Sequence, residues 1–258
     1  MWFLKRWSRK RIGSRVFPGD WLRIIKKNVP YYNILPADDK KELQQHILIF
    51  LAEKYFEGCG ELKITDEIKI TIAAYACILL LHRKTNYYPR LRSILVYPKT
   101  FIAPQKNRLP SGVIAEGPVP LIGQSWHKGP VILSWDDVKH SYADAHDGQN
   151  VVFHEFAHQI DSSGGESDSS VILQRRSSYI AWARILQKNF ENLRNAVTEN
   201  LPTLLSKYAA TNEAEFFAVA TEFFFEKPKE MKIIHPELYN ELKRFYHQNP
   251  AELVSRIS

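Results

Sequence analysis

Cysteine is scarce. Only Cys59 and Cys77 occur in 258 residues, with no C-x-x-C spacing, which excludes a disulfide scaffold and a cysteine-built zinc site and fits a reducing compartment. Also missing is an unbroken apolar run of about 18 residues, the length a membrane span requires; the longest candidate surrounds Ile72–Leu81. The start, MWFLKRWSRKR, carries charge but no apolar stretch before a small-residue cleavage site, so it reads poorly as a signal peptide. A cytoplasmic protein is the expectation. Acid is nearly absent from residues 1–27, where Asp20 alone faces nine Lys/Arg. That segment is therefore +8, and of the chain's net +7 the rest holds −1. Basicity belongs to an N-terminal arm and not to a groove across the fold, so no specific nucleic acid is expected. The arm reads as a solvated, partly disordered tail. A second reading has Trp2, Phe3 and Trp7, interleaved with Lys and Arg, make a weak contact with an anionic membrane surface.

What is present is an ordinary globular composition, 45% apolar and 24% charged, long enough to bury a sizeable core. After Pro36, Asp39-Lys-Lys-Glu42 has the form of a capping box, and Leu43, Ile47, Phe50 and Leu51 recur at helical spacing until Gly58 supplies a stop. A second helix begins at Asp66 and is apolar nearly all round through Leu81, which predicts burial on every side. From Ser93 the period shortens: Ile94–Tyr97, Gly112–Ala115 and Pro130–Trp135 are short β-rich runs divided by Gly and Pro. Asp136 and Asp137 are then expected to cap a short helix towards Asp147-Gly148, and Ser162–Ser170 reads as a surface loop. Helices follow around Trp182–Leu193, over Glu213–Phe225 and over Pro236–His247. The order α, β, then mostly α predicts an α+β fold with a small mixed or antiparallel sheet. Three parts are expected: the arm 1–27, a helical layer 28–92, and a core 93–258 that can form one compact domain with that layer.

The decisive string is Val151-Val-Phe-His154-Glu155-Phe-Ala-His158-Gln-Ile-Asp161. On a helix, positions i and i+4 share a face one turn apart, so His154 and His158 can offer ring nitrogens to one zinc ion. Glu155, on the neighbouring face, is placed to take a proton from a zinc-activated water and pass it to a leaving amine. The apolar flanks bury the helix, and buried histidines need partners. A catalytic zinc needs three protein ligands and an open fourth position. No third histidine follows at the metzincin spacing, since Asp161 and Gly164 stand at the wrong offsets, and the other seven histidines show no ligand spacing. The missing ligand is therefore sought in Tyr208-Ala-Ala-Thr-Asn-Glu213-Ala-Glu215-Phe-Phe-Ala-Val-Ala-Thr-Glu222. Glu215 and Glu222 share a helix face while Glu213 points away. The apolar run after Glu215 favours it, but periodicity alone leaves Glu222 as a rival. Asp161 is a candidate partner for a ligand imidazole, and the run Pro130–Trp135 a candidate border of a substrate cleft.

These residues carry a resemblance. Gly123-Gln-Ser-Trp126, Gly129–Trp135, His154–Asp161 and Tyr208–Ala218 look like the corresponding strings of the Mlc titration factor A family of bacterial zinc peptidases, and the similarity spans about Leu35 to Pro250. The resemblance implies a zincin-type core of the gluzincin kind, similar to the peptidase domain of anthrax lethal factor. One Zn2+ per chain would be held by His154, His158 and Glu215, with Glu155 as catalytic base. It also implies that Tyr208 lies near the metal and can stabilise an oxyanion. The activity implied is peptide-bond hydrolysis, aminopeptidase-like or endopeptidase, on a peptide or protein substrate. The alternative it implies is regulatory: binding of a transcriptional repressor of sugar uptake, with the peptidase chemistry secondary. The long basic arm does not look like the family's usual start.

Overall fold

A computed structural model describes residues 2–99, 102–108, 114–120, 129–162 and 176–256. Gly123–Trp126, His127, the first two residues of the expected strand 112–115 and nearly all of the loop 162–170 lie outside them. Helices α1 (Trp2–Gly13), α2 (Gly19–Asn28) and α3 (Pro30–Ile34) open the chain, followed by α4 (Ala37–Glu53), strand β1 (Tyr55–Gly58) and α5 (Asp66–Ile78). Strands β2 (Ser93–Tyr97), β3 (Ile102–Arg108), β4 (Ile114–Pro120) and β5 (Val131–Ser134) come next. The remainder is helical: α6 (Trp135–Ala143), α7 (Val151–Ser162), α8 (Arg176–Thr198), a 3-10 turn at Lys207–Ala210, α9 (Glu213–Glu226), α10 (Pro228–Ile234), α11 (Pro236–Tyr246) and α12 (Pro250–Ser255). Among the described residues no helix is long and apolar enough to cross a membrane.

The N-terminal segment is not a tail. Arg9 forks onto the Glu53 carboxylate at 2.6 and 2.8 Å and so fastens α1 to α4. On α2, Ile25 is fully buried, and Asn28 donates to Thr71 Oγ1 and Glu67 Oε1 of α5 at 3.0 and 3.1 Å. The apolar positions Trp21, Leu22, Ile24 and Ile25, which the count of charges obscured, give α2 a face to bury. Contacts also run from α2 to α6 and from α5 to α7, across both of the boundaries expected from sequence.

The expected capping box does not form. Pro36 occupies the N-cap of α4 without a side-chain bond, and Glu42 instead accepts from the backbone N–H of His82 at 2.9 Å. Nor does α4 run to Gly58. It ends at Glu53, and the next residues pair as β1, Tyr55 opposite Ser93. Gly58 is demanded by a tight turn, since a Cβ there would lie 1.8 Å from the Leu62 carbonyl oxygen. Helix α5 starts at Asp66 as expected, with Thr65 accepting from Ile68 N, and every residue from Ile70 to Ile78 is buried. The expected mixed or antiparallel sheet resolves into two pieces: a parallel sheet in the order β1-β2-β5, and a separate antiparallel pair β3-β4. Ser134, not Asp136 or Asp137, caps α6 by accepting from Asp137 N at 3.2 Å, and α6 stops at Ala143, short of Gly148.

Helix α7 runs between α5, α9 and the sheet edge β5. Phe153 meets Tyr75 edge-on at 5.2 Å and stacks on Phe225 at 4.8 Å, while Phe156 meets Tyr88 at 4.9 Å and Phe50 at 5.8 Å. Each such ring contributes roughly 1.5–3 kcal/mol of burial. Two anchored rings on one side of α7 fix its rotation, so the face bearing His154 and His158 turns towards α9.

Candidate metal centre

Three ligand-type atoms converge where α7 crosses α9. His154 Nε2 lies 2.9 Å from Glu215 Oε2, His158 Nε2 lies 3.1 Å from His154 Nε2, and His158 Nε2 lies 3.4 Å from Glu215 Oε2. Tetrahedral zinc with bonds of about 2.0–2.1 Å separates its ligand atoms by about 3.3 Å. The triangle therefore has the dimensions of three corners of such a site, and two imidazoles with one carboxylate are the donor set that borderline zinc takes. Without a metal, the 3.1 Å between the two ring nitrogens is an N–H···N hydrogen bond, one imidazole donating to the other; the same two nitrogens are spaced to face one shared cation.

Each ligand-type side chain is held by its own element. Asn212 caps α9, accepting from Glu215 N at 3.0 Å, which fixes Glu215 in the first turn. Glu215 and Glu222 both contact the His154 imidazole, on opposite sides, and of the two Glu215 also lies 3.4 Å from His158 Nε2. Glu222 Oε1 stands 2.7 Å from His154 Nδ1 and accepts its proton, leaving Nε2 to face Glu215. Glu222 is itself anchored by the backbone N–H of Asn150 at 2.6 Å.

Asn150 went unnoticed in the sequence. Its side-chain oxygen caps α7 by accepting from Phe153 N at 3.0 Å, and its amide donates to Glu226 Oε1 at 2.9 Å. An Asn before an apolar helical run is a legible N-cap signal. Asp147-Gly148, read as the end of α6, belongs to this same turn: Gly148 has φ +87°, and a Cβ there would meet the Phe223 ring at 2.7 Å. Glu226 lies one turn beyond Glu222, so the face of α9 carries Glu215, Glu222 and Glu226 in succession.

The electrostatics follow from burial and these contacts. Burial alone would pull His154 down, but hydrogen bonds to Glu215 and Glu222 outweigh it and push the imidazole from 6.5 to about 10. Burial likewise opposes ionisation of Glu215, yet the two histidines hold it well below the usual carboxylate range. Burial raises Glu222 against the pull of His154 and of the Asn150 N–H. Glu226 is pushed by burial to about 9, with Glu222 adding to the shift against the Asn150 amide.

Glu155 is 0% exposed and close enough to bias both His154 and Tyr208. Tyr208, on the 3-10 turn before α9, is half-exposed, with its ring centroid 6.1 Å from that of His154. Its hydroxyl bonds Glu215, and burial together with the carboxylates of Glu215, Glu155 and Glu222 pushes it up to about 12. The residues singled out at His154, Glu155, His158, Tyr208 and Glu215 thus gather in one place. Glu213 and Asp161 lie exposed at the ends of their helices.

A second group, Asp39, Glu42 and His82, also brings ligand-type atoms within 4.8 Å. It lies nearer solvent and its oxygens are engaged: Asp39 Oδ2 pairs His82 Nε2 at 3.2 Å, and Glu42 holds the His82 N–H and the His46 ring. It locks α4 to the turn after α5. A cavity of about 540 Å³ between loop 200–207 and Asp147, Phe223 and Lys227 shares no lining residue with the histidine pair.

Against known proteins, residues 4–247 match a family described as glucose-regulated metallo-peptidase M90. The match takes in most of the basic segment that sequence reading set outside the family's usual start. The chain is 38% identical over 245 residues to the uncharacterized protein slr2042 of Synechocystis sp., covering 95% of this chain and 89% of the relative. It is 30% identical over 229 residues to a protein named Mlc titration factor A from Serratia proteamaculans, covering 87% of each. It is 30% identical over 224 residues to its namesake from Klebsiella pneumoniae, covering 86% of this chain and 84% of that one.

Proposed function

The chain belongs to the glucose-regulated M90 metallopeptidase family, and from that premise we propose that it hydrolyses peptide bonds at a single zinc site held by His154, His158 and Glu215. The observation that carries the reading is the triangle of 2.9, 3.1 and 3.4 Å among Nε2, Nε2 and Oε2. Zinc there would act as a Lewis acid, polarising the scissile carbonyl and lowering the pKa of water towards 7 or about that value. Glu155 takes the proton of the attacking water on its carboxylate and returns it to the leaving nitrogen. Tyr208, its hydroxyl held protonated, swings from Glu215 to donate to the oxygen on which charge develops. Glu222 keeps the His154 proton on Nδ1. Among the described residues strand β5 ends its sheet, and it packs on α7, which supports its outer edge as the place where an extended substrate pairs. The free cysteines, Cys59 and Cys77, are in keeping with a cytoplasmic setting.

The name borne by relatives such as that of Serratia supports a second reading, in which the chain binds a transcriptional repressor of the Mlc kind. One substitution separates the two. Glu155→Gln should abolish turnover of a peptide while leaving metal content and repressor binding intact. Elemental analysis should find one zinc per chain in the wild type and little in Glu215→Gln. Peptide cleavage by Glu155→Gln at the parental rate would overturn the catalytic assignment. A wild type that holds no metal after zinc is supplied would overturn the site and leave the binding reading in first place.

A further inference from the structure

We infer that the layer formed by α1 and α2 is a docking surface for anionic lipid headgroups. The charge of +8 on residues 1–27, set against −1 on the rest of the chain, is borne by two packed helices and, at Arg15, by the short linker between them. α1 lies against α4 and α2 against α5, so their inward positions are taken: Arg9 by Glu53, Ile12 by the core, Ile25 and Asn28 by full burial. The charged groups that remain outward are cationic but for Asp20, which pairs with Arg23. Lys10, Arg11, Arg15 and Lys26 are exposed and have no carboxylate partner among the described residues. Lys5 and Lys27 reach only long pairings, at 3.9 and 3.5 Å.

Two apolar side chains of this segment are exposed: Trp7, 66% exposed and one helical turn from Lys10 and Arg11 on α1, and Val16, 91% exposed and next to Arg15 in the linker to α2. Cations beside an aromatic ring on α1, followed by a cation and an aliphatic group in the linker, match the headgroup region of a bilayer, which takes charge at the phosphates and apolar groups just beneath. A nucleic-acid backbone would reward the cations but offers nothing to Val16. With twelve residues, α1 is far too short to cross the bilayer, so the contact is peripheral. A rigid layer also loses less entropy on docking than a disordered arm would. The inference does not depend on the peptidase reading, since no residue of the metal centre takes part.

The test is flotation of the full chain with vesicles of equimolar phosphatidylglycerol and phosphatidylcholine, beside vesicles of phosphatidylcholine alone. Wild type should float with the first and not with the second, and high salt should release it. Each surface cation contributes about fivefold to partitioning, so Lys10→Gln/Arg11→Gln/Arg15→Gln/Lys26→Gln should bind roughly several-hundred-fold more weakly, and Trp7→Ala should lower the binding that survives moderate salt. An unchanged melting temperature and metal content would show that the quadruple variant is folded. Equal flotation of wild type and the quadruple variant, equal binding to neutral vesicles, or retention on a DNA or RNA oligomer without vesicle binding would each overturn the inference.

Discussion

His154 is the residue on which the centre turns, because its two ring nitrogens face two carboxylates on the same face of α9. Glu215 and Glu222 are seven positions apart, about 10.5 Å along a helix axis, and an imidazole lying across that gap touches one with each nitrogen. Periodicity could not rank the two acids for this reason: both are contacts of the same ring, and only the three-dimensional order shows that Glu215 alone also reaches His158. A carboxylate on the far nitrogen of a ligand histidine typically contributes 10–100-fold to metal affinity. Glu222→Ala should therefore weaken zinc binding by about that factor in a chelator-competition assay, without abolishing it. Glu222→Gln, whose amide oxygen can still accept from Nδ1–H, should be milder. If the Gln and Ala variants both lost metal as completely as Glu215→Gln, Glu222 would be a ligand and not the residue that orients one.

At the scale of elements, α7 depends on the turn before it. Gly148 adopts φ +87° beneath the Phe223 ring, with no room for a Cβ at 2.7 Å. Gly148→Ala would strain the backbone by about 1–3 kcal/mol and push Phe223 aside, moving Asn150 away from Glu222. The expected result is a melting temperature lowered by several degrees with zinc affinity reduced in parallel; a variant as stable as wild type with unaltered affinity would show that the turn does not position the site. The long helices were legible because burial writes their period: the all-round apolar run of α5 and the string of α7 appear where expected. Element ends were less so. Tyr55–Gly58 is a four-residue strand that exists through its pairing with Ser93–Val96, a partner 38 residues away, and no local pattern announces it. The Asp39–Glu42 spacing suggested a cap, but His82, brought alongside by tertiary packing, competed for the same carboxylate. The basic segment misled because charge counts hide the four apolar positions that seat α2.

For the molecule as a whole, His154 on α7 and the buried Glu226 on α9 tie stability to protons. In the metal-free protein His154 is raised from 6.5 to about 10, so its contribution is complete below 6.5 and is lost as pH rises through about 10. Glu226 is raised from 4.5 to about 9, so the folded carboxyl keeps a proton that the unfolded chain has released, and its contribution too falls as pH rises, through about 9. The signs agree: folding takes up protons across the neutral and alkaline range, and the metal-free protein should melt at progressively lower temperature from neutral pH to about 10. Glu226→Gln removes one of the two groups while leaving an amide to face Asn150, so its melting temperature should fall less steeply and lie above wild type near pH 9. Zinc held at the proposed site would need His154 neutral, so loading should release protons, remove the histidine's share of the slope and leave that of Glu226. Helix content should survive chelation throughout, since the Tyr75, Phe153 and Phe225 rings, not the metal, hold α7 against α5 and α9. Melting curves of chelated and zinc-loaded wild type and Glu226→Gln across that pH range decide the matter. A melting temperature that climbs with pH, or two variants that fall in parallel, would mean that these groups do not carry the proton linkage the buried site requires.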